Sequence, residues 1–479
     1  MTLQAAFRTA RSALAANAFQ TATVSRNISG ADANGYARKI VLVEPSLSGP
    51  TKATRIMRAT DQSLQSAALD ASSVASGDEA VSKALDALQS IVGQASDGVS
   101  PSAMLSAFRT ALLHAAAAPQ DAAGLAAAVS RAGSLVASLN QASASIQEVR
   151  AQADQDMASS VSTINALLKS FDQTNHAAIS GSASGQDVSD LLDRRDAILS
   201  DLAKEVSIST IIGSNGDMSI YTDSGVALYQ GTPRAVSMEP TTTFAAGVTG
   251  NAVYIDGVAV TGPSATMAPR GGALSGLAQI RDTYTTTLQS QIDEVAVGLI
   301  NAFSQQSAAG SVRTGLFTWS GGPSMPASGT QGVAASIGVD PSAQGNPAFL
   351  RDGGIGGDPN FVANATGSSS YSARLYDLLV SLDAQQSFSA PPLPAHLNVS
   401  DLAAQSQGWL EGARQTAADK SISANAILVQ TNTALTNSSG VNIDDQMSKM
   451  LDLENSYQAS AKMMAMVDSM YAALFSAVK

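Results

Sequence analysis

Both ends of the chain carry an unbroken alternation of three- and four-residue steps between positions that share one helix face. At the N-terminus the stripe runs Leu3, Phe7, Ala10, Leu14, Asn17, Thr21, Val24 and Ile28. From Ile443 it runs Gln446, Met450, Leu453, Tyr457, Ser460, Met464, Val467, Tyr471, Leu474 and Val478. A heptad seam of this kind needs a facing helix, because propensity alone barely holds an isolated helix in water. The two stripes can bury their faces against each other or against copies in neighbouring molecules. Charge favours the first arrangement, since residues 1–60 carry net +6 and residues 440–479 net −2. With the polar Asn17 and Thr21 in the N-terminal seam, a lone end helix is marginal, so the seam is expected to form on assembly and to leave Met464 uncovered in the single chain.

The N-terminal stripe ends in "NISGADANGY", residues 27 to 36. Gly30 can take the positive φ that closes a helix, and Asn34-Gly35 supplies a tight turn. The segment therefore reads as a helix, a rigid corner and a short extended strand from Tyr36 through Val43. An acid-free, Arg- and Ala-rich start also matches a mitochondrial transit peptide. Such a peptide would have no use for a matching heptad at the far end.

Composition narrows the function classes. A net charge of −12 argues against nucleic acid as a partner. The absence of cysteine removes disulfides and thiolate metal sites, which suits a cytosolic chain or one threaded unfolded through a narrow export channel. A cleaved signal peptide and a membrane span are not expected, because no apolar run approaches the required length. The three histidines, His114, His176 and His396, are far apart and read as surface residues. No serine-nucleophile elbow or phosphate loop occurs, and "GGIGGDP" at 353–359 lacks the final glycine of a dinucleotide fingerprint. Asp187, Asp190, Asp193 and Asp196 beside Arg194 and Arg195 read as salt-bridged packing at a domain junction rather than as an acid/base pair. No enzyme, no cofactor and no metal is expected.

Along the chain, helix is predicted over about 62–93 and again after Ser100-Pro101, a cap followed by a proline at the first helical position. A nearly unbroken helix follows from about 121 to 178. Its seam contains three successive steps of four from Val149 to Val161, a stutter that locally relaxes supercoiling. A short helix starts at Ser189. Residues 206–260 then alternate and are broken by Asn215-Gly216, Ser224-Gly225 and Asp256-Gly257, which are hairpin signals. Helix returns over 276–306, residues 309–370 read as loops, and helices resume from Tyr371 and from Asp401 to Thr436, with "NSSG" before the C-terminal heptads. The expected fold is mainly α with a β insertion, elongated, with terminal helices pairing as a coiled coil. Its parts are 1–64 with 437–479, a helical bundle of 65–205 with 271–436, and an inserted antiparallel β domain at 206–270.

These ends resemble the flagellar axial protein family. Asn27, Ile28, Gly35 and Tyr36 match its Asn-Ile-Ala-Asn…Gly-Tyr pattern, with Ser29 and Gly30 departing from it. Gly440-Val441-Asn442 and Tyr457 to Ala461 match its C-terminal motif. "LLDRRDAILSDL" at 191–202 and "GGALSGLAQIRD" at 271–282 are similar to segments flanking the β domain in the hook-associated protein 1 branch. The resemblance implies a structural subunit that is exported unfolded by the flagellar type III apparatus and assembles as a tubular junction between hook and filament. Its implied partners are copies of itself, hook protein, hook-associated protein 3 and an export chaperone on the C-terminal helix. The implied assembly residues are Leu3, Phe7, Leu14, Val24, Asn27, Ile28, Gly35, Tyr36, Met450, Leu453, Tyr457, Met464, Val467, Tyr471 and Leu474. Hook, distal-rod and hook-associated protein 3 subunits share the terminal motifs and remain alternatives, as does an exported adhesin or hydrolase with borrowed ends.

Overall fold

The computed structural model describes residues 3–33, 35–44, 52–93 and 97–477. Helix α1 (Leu3–Gly30) leads into a two-stranded hairpin of β1 (Lys39–Glu44) and β2 (Lys52–Arg58), with Ile40 opposite Met57. Then follow α2 (Gln62–Val92), α3 (Pro101–Ala117), α4 (Ala122–Ala183) and α5 (Ser189–Glu205). Local chemistry sets these boundaries. Asp61 caps α2 by accepting from the Ser63 and Leu64 amides, and Gly93, at φ 85°, ends it. Ser100 caps α3 ahead of Pro101, as its sequence predicts. At 62 residues α4 is about 93 Å long.

The β insertion holds two antiparallel three-stranded sheets in simple meander order. The first comprises β3 (Ile208–Ile212), β4 (Met218–Thr222) and β5 (Ala227–Tyr229). The second comprises β6 (Val236–Ser237), β7 (Tyr254–Ile255) and β8 (Val258–Ala259). All three predicted turns fall between paired strands, and Gly216, Gly225 and the Asp256-Gly257 pair supply the positive φ values that tight hairpins need. The chain returns through α6 (Ala273–Gln279), a π-turn at Ile280–Tyr284 and α7 (Thr285–Ala302). Short helices α8 (Val333–Ser336), α9 (Pro341–Gly345) and α10 (Phe349–Asp352) follow, then α11 (Ala373–Asp383), α12 (Val399–Ser439) and α13 (Ile443–Ala477).

Two apolar cores lie along α4. The first joins its N-terminal half to α2, α3, α7, α11 and the start of α12, around the rings of Phe108, Phe303 and Phe317, whose centroids are 5.1–5.6 Å apart. The second joins Met157 through Phe171 to α5 and the β strands, with Phe171 edge-on to Tyr229. The handover falls between Ala153 and Met157, inside the stutter. A heptad drifts around a straight helix, so a change of seam is how one rod serves two partners on different sides. One stretch of α4 is apolar enough by length and composition to cross a membrane, contrary to the expectation, but its alanine- and leucine-rich face lines the first core.

Three readings need correction. Gly30 does not take a positive φ; it remains in α1, and its missing side chain is what matters, since a Cβ there would lie 2.5 Å from the Tyr36 ring. "NSS" does not interrupt the helices, because α12 runs through Ser439 and only Gly440 to Asn442 separates it from α13. Residues 309–370 are short irregular elements, yet they supply Leu316, Phe317, Val333, Ile337 and Leu350 to the first core.

Candidate functional site

α1 and α13 pack on each other within one chain, running antiparallel. Asn17 donates from Nδ2 to Ser456 Oγ at 2.9 Å, and ten residues further along each helix Asn27 Nδ2 donates to Gln446 Oε1 at 2.9 Å. The seam positions behave as the periodicity requires along α1. Ala10, Asn17 and Val24 are buried, and Leu3, Phe7, Leu14, Thr21 and Ile28 are half-buried. On α13, Gln446, Ser460 and Val467 are buried, with Met450, Leu453, Met464 and Tyr471 half-buried between them. Tyr457 and Leu474 do not join the seam, being more than half exposed. Val478 and Asn34 lie outside the described residues. Met464 is thus partly covered already in the single chain, which overturns the expectation of a seam formed only on assembly.

Asn27 is the hub of the corner. Its Oδ1 accepts from the Lys39 amide at 2.8 Å and from Tyr36 Oη at 3.0 Å, and its Nδ2 also donates to the Lys39 carbonyl at 2.9 Å. With Gln446, all four hydrogen-bonding positions of a buried carboxamide are filled. One side chain therefore fixes α1, the strand after the corner and the start of α13 together. Gly35, at φ 76°, lies so close to α5 that a Cβ would be 3.1 Å from the Asp193 carbonyl oxygen and from Ala197 Cβ. A further bond from the Arg38 amide to the Ser439 carbonyl, 2.8 Å, ties the corner to the end of α12.

Among the described residues, the N-terminal cations that form ion pairs, Arg26, Lys39 and Arg58, pair with the acids at and before α5, not with α13. Asp187, Asp190, Asp193 and Asp196 recur every three residues and form one acidic edge at the start and along one face of that helix. Arg26 bridges Asp187 and Asp190, at 3.0 and 2.6 Å. The fully buried Lys39 side chain reaches Asp190 and lies 3.3 Å from Asp193, and Arg58 bonds Asp193 at 2.7 Å and Asp196 at 2.5 Å. The Lys39 ammonium also stands 4.5 Å from the centre of the Tyr36 ring. The acidic repeat was legible as junction packing, but its cations come from α1 and the hairpin. Arg194 is exposed, and Arg195 turns away to Asn175 and the Gly216 carbonyl.

Burial raises the Asp187 and Asp190 carboxyls, but the hydrogen bonds from Ser189 to Asp187 and from Lys39 to Asp190, together with the Arg26 charge, outweigh it and hold both below the ordinary range. Depressed folded values mean that their contribution is complete above the unfolded carboxylate value of about 3.9 and is lost as pH falls below it. Hydrogen exchange at the amides of 35–44, corrected for intrinsic rates, is therefore expected to speed up as pH falls below about 4. Unchanged protection in that range would show that these pairs do not hold the corner.

The remaining candidates are not brought together. His114, His176 and His396 are exposed and separate, and among the described residues no cluster of three potential metal ligands occurs. The glycines of 353–357 form a turn closed over by Arg313, which bonds the Ile355 carbonyl and stacks on Phe361.

A family model described as the flagellar hook-associated protein FlgK helical domain matches residues 85–318, and one described as the flagellar basal body rod FlgEFG protein C-terminal matches 434–477. Residues 85–318, just under half of the chain, are thus similar to the helical domain of FlgK hook-associated proteins, and 434–477 to the C-terminal segment of rod-type proteins. It is similar to flagellar hook-associated protein 1 of Salmonella typhimurium and of Salmonella typhi, in each case 23% identical over 308 residues. That match covers 61% of this chain and 55% of each relative, so the chain spans about half the length of the curated relatives it matches. Its fold is similar to the structure of the flagellar hook junction protein FlgK from Burkholderia pseudomallei, with a TM-score of 0.57 at 14% identity, covering 78% of this chain and 99% of that one. The fold shared with that structure is mainly α with a small β insertion. The rod-type match begins at 434, beside the Ser439–Arg38 bond, and takes in the whole of α13.

Proposed function

We propose that this chain forms the junction between hook and filament as a structural subunit without catalysis, exported unfolded and assembled outside the cell through α1 and α13. The observation that carries the assembly reading is the second, unused apolar flank of α13. One side of the helix is spent on α1, yet Met463, Met466, Met470 and Leu474 remain about half exposed at three- and four-residue spacing on another. A monomer does not profit from such a row in water, whereas a tube built of copies covers it. The same row, exposed during export, is what a chaperone on the C-terminal helix would shield. In the assembled tube, hook protein lies on one side and hook-associated protein 3 on the other. The three-part organisation follows: the paired ends 1–64 and 437–479 line the tube, the bundle of 65–205 with 271–436 stands outside them, and 206–270 is outermost.

A strain lacking this chain should build hooks, carry no stable filaments and release filament protein into the medium, as seen by electron microscopy and by immunoblotting of the supernatant. Normal filaments would contradict the proposal. Absence of hooks would instead assign the chain to the hook or distal rod.

A further inference from the structure

Methionine is concentrated in α13 beyond anything the seam requires. Six of the fourteen methionines in the chain, Met447, Met450, Met463, Met464, Met466 and Met470, lie in this one helix. Met450 and Met464 serve the seam against α1, but Met463, Met466 and Met470 are 48, 56 and 54% exposed and sit one above the next on the unused flank. Leucine would supply the same apolar area, with better-defined rotamers. Thioethers differ in two ways: they adapt to irregular partners, and they can be oxidised.

We propose that Met463, Met466 and Met470 form an oxidisable site at which conversion to methionine sulfoxide blocks assembly of this chain. The inference rests on the reading of α13 as an assembly helix. Hydrogen peroxide is the oxidant: the thioether sulfur attacks one of its oxygens, the O–O bond breaks, a sulfur–oxygen bond forms, and the other oxygen leaves as water after proton transfer. The sulfur loses two electrons and the peroxide gains them. Access decides which methionines react, and Met157 and Met218, at 0 and 3% exposure in the second core, provide built-in unreactive controls. A sulfoxide is a strong hydrogen-bond acceptor. While the flank faces water it costs nothing, but when a neighbouring copy covers the flank the acceptor is desolvated with no donor in the row to meet it, since the flank carries Leu474 and methionine side chains. Oxidation therefore discriminates between states: the free chain tolerates it, and the tube excludes it. Once the chain is assembled, the same burial protects the sulfurs from further attack.

The test uses the full-length chain, hydrogen peroxide and hooks isolated from a strain that lacks it, with attachment scored by electron microscopy. Peptide mass spectrometry should find oxygen added at Met463, Met466 and Met470 well before Met157 or Met218. Attachment of the oxidised chain should fall on the order of tenfold or more. A chain with Met463→Leu, Met466→Leu and Met470→Leu, scored against its own untreated attachment, should lose none of it on the same peroxide treatment, and methionine sulfoxide reductase should restore the oxidised parent. The inference is overturned if the three sulfurs resist peroxide as Met157 does, if the oxidised parent attaches normally, or if the leucine chain loses attachment equally. An untreated parent that does not attach to hooks overturns the junction reading and this inference with it. Attachment by both untreated and oxidised parent overturns the inference alone.

Discussion

Asp193→Ala is expected to release the N-terminal corner from α5 while both apolar cores stay folded. Asp193 accepts from Arg58 Nε at 2.7 Å and from the Ala37 amide at 3.3 Å, and it stands 3.3 Å from the ammonium of Lys39. The Lys39 side chain is fully buried, and its other carboxylate, Asp190, is mostly exposed and shared with Arg26. Truncating Asp193 thus leaves one charge under-paired inside the protein, which typically costs ~3–5 kcal/mol. That sum corresponds to a rise of about two to three and a half orders of magnitude in local opening, read by hydrogen exchange at the amides of 36–44. Because the loss comes from a stranded charge, replacing both partners, Lys39→Met with Asp193→Leu, should recover much of the protection. Equal exchange in the parent and the single variant would mean that Asn27 and the α1–α13 seam hold the corner without α5.

The second large effect is expected at the handover between the cores. Arg281 sits in the π-turn with its side chain fully buried, donating to Asp154 at 2.5 Å, to Asp282 at 2.8 and 2.9 Å and to the Asn251 carbonyl at 2.9 Å. Burial lowers its pKa, but the bonds and charges of Asp282 and then Asp154 more than reverse that, and the guanidinium stays charged. Asp154 also accepts from the Thr241 amide at 2.7 Å, so one ion pair joins α4, the π-turn and the β insertion. Arg150, one turn away, adds bonds to the carbonyls of Arg281, Ala245 and Val248. Arg281→Met strands the Asp154 carboxylate and should cost ~3–5 kcal/mol. At about 2–4 °C per kcal/mol, the unit containing the β insertion should melt roughly 10 °C lower in calorimetry. Adding Asp154→Leu should restore most of the loss. A melting profile unchanged by Arg281→Met would show that solvent reaches Asp154 in the native state.

What the residues disclosed in advance was local in sequence. The stutter at Val149 to Val161, the Ser100-Pro101 start and the three glycine turns each depend on a few neighbouring residues, and each falls where its pattern places it. The terminal heptads identified most of the facing surface, Tyr457 and Leu474 excepted, because period survives in sequence even when the partner is 439 residues away. Partner choice does not survive in that way. Net charge pointed the basic N-terminus at the acidic C-terminus, yet Arg26, Lys39 and Arg58 close on α5, since the folded corner brings those carboxylates within 3.3 Å and exposed charges on α13 gain little from distant cations. Gln446, which fills the fourth hydrogen-bonding position of Asn27, stands in the seam with nothing in its spacing to mark that role. Its carboxamide becomes meaningful only beside another one. Phe317 and Leu316 carried no signal either, because short irregular segments have no period from which burial can be read.

The pairing of α1 with α13 inside one chain is tested most directly by a covalent link. The chain contains no cysteine, so Asn17→Cys with Ser456→Cys introduces the only two thiols, at side chains now in hydrogen-bond contact at 2.9 Å. Treated with a short bis-maleimide crosslinker at low protein concentration and separated on a denaturing gel, the purified chain should give an intramolecular product that migrates as a compacted monomer. Arg11→Cys with Ser456→Cys, about six residues out of register, should react much less. Covalent dimers and a ladder of higher species, with no compacted monomer, would mean that each α1 finds its α13 in a neighbouring copy and that the single-chain seam described above does not form.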